Sequence, residues 1–291
     1  MITRIAILLI LGGARIFAQD DSTHRGLLTR RYHEGESLTY RMKASNESRR
    51  YEIQATGVVK RDSAGKYVEE YAWSNLISNG AAATLPAASI QFRQVLSLDP
   101  DKPPSIPNLG TVHPTLIGPI TDLLTFYADL WLATRDGRLT HAGDHIYRKH
   151  GAPASWADGA YVVLGEDSID FDITLTGIDQ STKVAALLVR HVPPEQSQVR
   201  LPVAWMREPV ADTPNNWVQV TKKDGKFVAA VGKETFDVRM EVSVADGKIL
   251  SGAMENGVNA QERDCHDAAF ASCGDPRPRH TFRKIEISLD R

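Results

Sequence analysis

"NNWVQVTKKDGKFVAAVGKETFDVRMEVSVADGKILSGAMENG", residues 215–257, alternates apolar and polar side chains between turn-forming dipeptides. Over residues 236–244 every even position is apolar and every odd position is polar, which is the pattern of a strand with one buried face. The dipeptides Asp224-Gly225 and Asp246-Gly247 accept the positive φ of tight hairpin turns. The stretch therefore predicts hairpin after hairpin, an antiparallel meander.

The same pattern continues on both sides of this stretch. Residues 49–76 contain two β-rich runs around the turn signal of residues 62–65, and within residues 166–179 apolar and polar side chains alternate from Ile169 to Leu175. Residues 183–192, "KVAALLVRHV", are almost continuously apolar and predict a more deeply buried strand, and residues 280–290 close the chain with a further run that contains Phe282, Ile285 and Ile287. The predicted fold class is mainly β, an antiparallel meander curled into a barrel or half-barrel.

One prominent apolar helix is predicted at about residues 119–134, packed on or into the sheet. Pro119 suits a first helical turn, and Asp122 suits a helix N-terminus. The helix either fills the concave face of the sheet or lines an apolar cavity there. The candidate ligand-binding residues are Leu123, Phe126, Tyr127 and Trp131 of this helix, with Trp156 and Trp217 from predicted strand ends.

The N-terminus has the anatomy of a secretory signal peptide over residues 1–18. Arg4 precedes the apolar run 5–11, Gly12-Gly13 follows it, and Ala18 offers a small residue for cleavage. The run is too short for a stable membrane span, so no transmembrane segment is expected in the mature chain. Residues 19–291 are expected to form a single β-rich domain located in the periplasm or secreted, with a proline-rich crossover, or else a domain boundary, at residues 97–115.

Cys265 and Cys273 are the only cysteines, and in an oxidising compartment nearby thiols normally pair. The spacing favours a disulfide across a short loop. The alternative makes both cysteines and His266 soft metal ligands, although the second pair of cysteines that is usual for zinc is missing. The net charge of −2 comes from interleaved acids and bases without a basic patch, so a nucleic-acid partner is not expected.

The candidate metal ligands are His141, Asp144 and His145, which a tight hairpin could bring together around a divalent ion. No other cofactor is expected. A second group consists of acidic residues at positions 166, 167, 170 and 172, whose oxygens suit calcium or paired acid–base work on a glycoside, or else form a solvated strand face.

No motif names a reaction. The sequence contains no G-x-S-x-G elbow, no H-E-x-x-H pair and no glycine-rich phosphate loop, so the catalytic residues are unknown and a non-enzymatic role is the stronger expectation.

The pattern of strands with one apolar helix resembles, at the level of topology, the half-barrel carriers that bind lipids or lipoproteins outside the inner membrane. The resemblance implies an exported cell-envelope binding protein that holds an apolar or lipid-like small molecule between the sheet and the helix. Two alternatives stay open, a secreted metal-assisted hydrolase using the His141, Asp144 and His145 cluster, and a non-enzymatic scaffold with an envelope protein partner.

Overall fold

The computed structural model describes residues 26–47, 49–109, 112–156 and 161–290, and the expected signal peptide lies outside these ranges. Within them the chain forms strands and three helices, all connected through one sheet. In chain order the elements are β1 (Ser37–Ser45), β2 (Arg50–Arg61), β3 (Tyr67–Ser78), β4 (Ala81–Ala82), α1 (Ala87–Gln91), β5 (Gln94–Leu96), α2 (Pro114–Thr134), β6 (His145–Lys149), β7 (Ala154–Ser155), β8 (Val162–Asp167), β9 (Asp170–Asp179), β10 (Val184–Val192), α3 (Ala204–Arg207), β11 (Trp217–Lys223), β12 (Lys226–Ser243), β13 (Ile249–Cys265) and β14 (Arg277–Leu289).

The sheet has fourteen strands, pairs antiparallel throughout, and is curled without closing, which confirms the predicted fold class. Its main path runs β4-β3-β2-β1-β14-β13-β12-β10-β9-β6, and β5 adds to β3. A side branch of β11, β8 and β7 is attached to the first half of β12. The first and last long strands of the chain therefore lie side by side in the middle of the path.

The predicted hairpins form where the turn dipeptides stand. Asp224 and Gly225 have φ angles of 52° and 76° between β11 and β12, the backbone that a two-residue hairpin turn of this type requires. Gly247, with φ of 71°, turns the chain between β12 and β13, and the hairpin of β2 and β3 encloses residues 62–65. Local turn chemistry therefore sets these registers.

α2 begins earlier than predicted, at Pro114 rather than near Pro119. His113 is its N-cap, with a ring nitrogen that accepts from the backbone N–H of Thr115, and Pro114 occupies the first helical position where no N–H is needed. Pro119 consequently lies inside the helix. Asp122, which was expected to complement the N-terminus, lies buried two turns into the helix instead.

The sheet curls around α2, and the contacts of the helix extend from one side of the curl to the other. Tyr127 meets Tyr71 of β3, and Asp129 meets His191 of β10. By length and composition α2 is the one helix among the described residues that could span a membrane, and 67% of the stretch concerned is buried inside the protein. The helix is accordingly the central core element of the half-barrel.

A buried ion pair attaches the segment before β1 to this core. The Arg30 guanidinium donates to Glu69 of β3 over 2.8 Å, and neither side chain exposes more than 1% of its surface. Tyr71 and Tyr127 also donate to the Glu69 carboxylate. The segment passes directly over Gly247, where an added Cβ would lie 2.5 Å from its backbone. Arg30 is therefore the counter-charge of a carboxylate that water does not reach.

A second, smaller core lies where β11 and β8 join the first half of β12. It contains Leu164, Met206, Val218, Val220, Phe227, Val231, Cys265 and Phe270. Trp205 of α3 closes it by donating its indole N–H to the carbonyl of Phe270 over 3.0 Å. β12 is long enough to serve both cores, since it pairs with β11 along one half, with β10 along the other, and with β13 throughout.

The predicted disulfide is present between Cys265 and Cys273, across eight positions of sequence at the rim of the small core. We expect the Cys265→Ala/Cys273→Ala variant to lose about 2–3 kcal/mol of unfolding free energy, because the unfolded chain regains the freedom of a loop of this length. Guanidinium unfolding curves of the variant and the wild type, both measured without reductant, check this loss. Coincident curves would show that the disulfide adds nothing to the free energy of unfolding.

Candidate functional site

The four candidate ligand-binding residues of α2 lie in a filled core. Leu123 and Phe126 expose none of their surface, Tyr127 exposes 2% and Trp131 exposes 8%. The ring of Phe126 packs so closely on β13 that a Cβ at Gly252 would lie 2.7 Å from it. The hydroxyl of Tyr127 lies 2.6 Å from that of Tyr71. Neither of the two cavities described below is lined by α2.

The two candidate loop tryptophans do come together, but apart from α2. Trp217, 5% exposed, forms a small cluster with Ala230, Val258 and Ala260, and Trp156 packs against it. The indole of Trp156 covers Gly165, where a Cβ would lie 2.4 Å from the ring nitrogen. Both tryptophans thus serve packing at the junction of β8, β11 and β12.

The three candidate metal ligands do not converge. Asp144 accepts from the backbone N–H groups of Thr140 and His141, both over 2.7 Å, and these bonds lower its pKa. His145 points instead to Asp172 of β9, with 2.6 Å between ring nitrogen and carboxylate oxygen. Among the residues that the structure describes, no group of three or more histidine, cysteine or acidic side chains is arranged to hold a metal ion.

The acidic residues of β8 and β9 are likewise separated, each with its own partner. Glu166 pairs with Arg200, Asp170 accepts from the hydroxyl of Tyr147, and Asp172 pairs with His145. Asp167 is the exception, because no described residue bonds its buried Oδ1.

The larger cavity lies on the opposite face of the sheet from α2. It is a groove of about 1050 Å³ whose floor is made by the outward side chains of eight neighbouring strands, from β3 to β9. A twisted sheet is saddle-shaped, so a face that is convex in one direction is concave along the other diagonal. Seven spacings of about 4.8 Å give the groove a length of about 34 Å across the strands.

The floor of the groove carries charges of both signs in cross-strand register. Lys43 lies opposite Glu52, 3.6 Å from its carboxylate, and the hydroxyl of Ser251 donates to Glu241. One row of successive cross-strand neighbours is Glu52, Lys43, Glu286, Ala253, Arg239 and Leu188. The parallel row is Gln54, Arg41, Ser288, Ser251, Glu241 and Ala186. Small side chains in the middle leave room between the charged ones.

The sequence did carry a signal for this groove. The nearly continuous apolar run of residues 183–192 predicted a more deeply buried strand, and in β10 one face is buried while the other is largely half-buried. Ala186 and Leu188 belong to the other face, are half-buried, and form one end of the groove floor. Apolar residues on the solvent side of a strand are therefore the feature that marks this surface.

A band of buried polar groups lies beside α2 on its own side of the sheet. His191 of β10 contacts both oxygens of Asp129 over 2.9 Å, while its other ring nitrogen has no partner among the described residues. Glu234 of β12 accepts from the amide of Asn256 over 3.1 Å. Burial and, to a smaller extent, the nearby Asp167 carboxylate together raise the pKa of Glu234 to about 8. Burial also raises the pKa of Asp167 to about 6.

The band continues two helical turns earlier along the same face of α2. Asp122 lies 2.5 Å from the guanidinium of Arg283 and accepts from the hydroxyl of Tyr51. Burial raises the pKa of Asp122 to about 6, because desolvation outweighs the attraction of Arg283. The buried band thus contains carboxyl groups with and without a partner. Neither of the two cavities opens onto it. No local pattern in the sequence predicts this band, since its members come from distant segments.

No protein-family model, curated protein or solved structure matches this chain. Function must therefore be argued from the geometry of its own surfaces.

Proposed function

We propose that the chain is an exported, non-catalytic binding protein, and that the groove across the outer face of its sheet holds an extended polypeptide segment of a partner protein. The observation that carries the proposal is the groove itself, which has a volume of about 1050 Å³ and a floor formed by eight strands. A span of about 34 Å accommodates about ten extended residues. The strands of the floor already pair with each other, so recognition rests on side chains.

The charges of the groove favour a polypeptide over other long ligands. Arg41, Lys43 and Arg239 alternate with Glu52, Glu241 and Glu286 on the floor. An acyl chain would desolvate these charges without pairing them. The carboxylates would repel a nucleic-acid backbone. A polypeptide bearing both acids and bases can pair with each row in register, and such complementarity gives specificity.

Export is supported by two features of the chain. The N-terminal segment has the n-region, h-region and small-residue pattern of a signal peptide, and the Cys265–Cys273 disulfide suits an oxidising compartment. A periplasmic or secreted location follows from this proposal, and an envelope protein is then the natural source of the partner segment.

An apolar or lipid-like ligand between sheet and helix stays a prediction. Such a ligand would have to displace the Phe126 ring from Gly252, or separate Tyr127 from Tyr71, because these side chains fill the interface. The groove needs no such rearrangement, which is why the geometry favours it.

The test is selection of a displayed library of random ten-residue peptides on the wild-type protein alone, followed by measurement of the affinity of each selected peptide for the wild type and for Ala253→Trp. Ala253 lies in the middle of the floor between Arg239 and Glu286, so an indole there fills the groove. We expect enriched peptides that carry both acidic and basic residues, bind more weakly as salt is raised, and lose at least tenfold in affinity on Ala253→Trp.

Ala211→Trp is the matched control, because Ala211 is exposed and outside the groove. It should bind the selected peptides as the wild type does. Peptides that bind Ala253→Trp equally well, or selected sequences that are purely apolar, would overturn the proposal.

A further inference from the structure

The second cavity is a polar recess at the edge of the sheet, separate from the groove. It has a volume of about 420 Å³, within the range of small-ligand pockets. Its walls come from β6 with residues 150–151, from residues 168–170 at the start of β9, and from the loop 194–198 that follows β10. β6 is the outermost strand of the main path, so the recess opens at the rim of the sheet.

Asp170 forms the fixed base of the recess. Its side chain is buried, with 6% exposure, and one carboxylate oxygen accepts from the Tyr147 hydroxyl over 2.6 Å. The other oxygen accepts from the backbone N–H of His150 over 3.1 Å. Each oxygen keeps a further lone pair for a ligand. On the opposite wall, the hydroxyl of Ser168 accepts from the backbone N–H of Gln198 over 3.3 Å, which holds the loop against β9.

The walls hold polar side chains that the protein leaves unused. Lys149, Glu195, Gln196 and Gln198 all line the recess and are exposed. Across the part of the chain that the structure describes, none of these four side chains hydrogen-bonds or ion-pairs with another residue. They supply one ammonium, one carboxylate and two carboxamides, which together both donate and accept hydrogen bonds.

One apolar surface accompanies these polar groups. Tyr147 is 49% exposed although its hydroxyl is tied to Asp170, so its ring presents a face to the recess at a fixed angle. The bond to Asp170 and partial desolvation raise the pKa of Tyr147 to about 12, so the phenol stays protonated and keeps donating. An immobilised aromatic face beside hydrogen-bonding groups suits a ligand that has one apolar face and polar edges.

We propose that this recess binds a small polyhydroxylated ligand, a mono- or disaccharide, with its C–H face on the Tyr147 ring and its hydroxyls bonded to Asp170, Gln196 and Gln198. A hydroxyl both donates and accepts, which matches carboxylates and carboxamides placed together. An anion such as phosphate would be repelled by the carboxylates of Asp170 and Glu195. A lipid chain would desolvate charged groups on every wall without pairing them. The site is independent of the peptide groove, and its test does not depend on that proposal.

The experiment is saturation-transfer difference NMR on the full chain. The probes are D-glucose, N-acetyl-D-glucosamine and cellobiose, with glycine and L-glutamine as zwitterionic comparators. We expect saturation of the ring C–H protons of at least one saccharide. Tyr147→Ala should weaken this binding at least tenfold, whereas Tyr147→Phe, which keeps the ring, should retain most of it.

A second variant, Gln196→Ala/Gln198→Ala, removes hydrogen bonds without altering a strand and should also weaken binding at least tenfold. Phe282→Ala is the matched control, because Phe282 is equally exposed at 54% but lies on β14, outside the recess. Saturation of the amino acids alone, of no saccharide, or of a saccharide that binds all variants equally would overturn the proposal.

Discussion

Replacing Glu234 with glutamine should stabilise the protein at pH 8 by roughly 3–5 kcal/mol, on the scale of about 1.4 kcal/mol per pKa unit. Burial raises the pKa of Glu234 to about 8 from its ordinary value of 4.5, so the folded state prefers the protonated carboxyl. The contribution of the Glu234 carboxyl to the free energy of unfolding is fully present below pH 4.5, and it is lost as the pH rises through 8. Glutamine is neutral at every pH and keeps the carbonyl that accepts from Asn256.

The measurement is urea unfolding of wild type and Glu234→Gln at several values between pH 4 and pH 9. The difference between the two should be small at pH 4 and grow steadily towards pH 8. Glu241→Gln, an exposed carboxyl on the same strand β12, serves as the control and should give a nearly constant difference. A Glu234→Gln difference that stays flat with pH would mean that water reaches this carboxyl in the folded state.

Removing the Arg30 charge should destabilise the protein by about 3–5 kcal/mol, the usual cost of leaving a buried charge without its partner. In Arg30→Met the Glu69 carboxylate, fully buried, would keep only the hydroxyls of Tyr71 and Tyr127 as donors. Guanidinium unfolding at pH 7 measures the loss. Arg61→Met is the control, because Arg61 pairs with Glu34 at the surface and such pairs contribute about 0–1 kcal/mol.

The double variant Arg30→Met/Glu69→Leu separates the missing partner from lost packing. With both charges replaced by apolar groups, most of the lost stability should return. An Arg30→Met cost no larger than that of Arg61→Met would show that Glu69 does not need its counter-charge. A double variant as unstable as the single one would show that Arg30 acts through packing around the Tyr32 ring, 4.6 Å away.

Features set by neighbouring residues could be predicted from the sequence. The strands, the turns at Asp224-Gly225 and Gly247, the apolar helix and the disulfide all depend on contacts over a few positions. The start of α2 was predicted wrongly because Pro119 suggested a first turn, whereas the His113 cap and Pro114 fix the real one. The destabilisation caused by a proline inside a helix is outweighed when burial of the flanking turns in a core stabilises the helix.

The buried polar band depends on contacts between distant segments, and no local pattern specifies it. The apolar run of residues 183–192 indicates one part of the groove, but the charged rows of the groove floor also come from distant segments. Glu69 acquires its role from Arg30 and Tyr127, and Glu234 from Asn256 and Asp167. Lys43 meets Glu286 only because β1 pairs with β14. Period-two alternation shows which side chains share a face, but it does not show which strands are neighbours.

The pairing of β1 with β14 also determines when the chain can fold. Tyr40 pairs with Leu289, so the middle of the sheet joins the first and the last long strand of the described residues. A ribosome that delivers β1, β2 and β3 first leaves one edge of that hairpin group unpaired until the last strand emerges. Contacts of such long sequence separation also make folding slow. The half-barrel therefore cannot be completed until β14 has left the ribosome, and until then the free edge of β1 is open to pairing with a wrong strand.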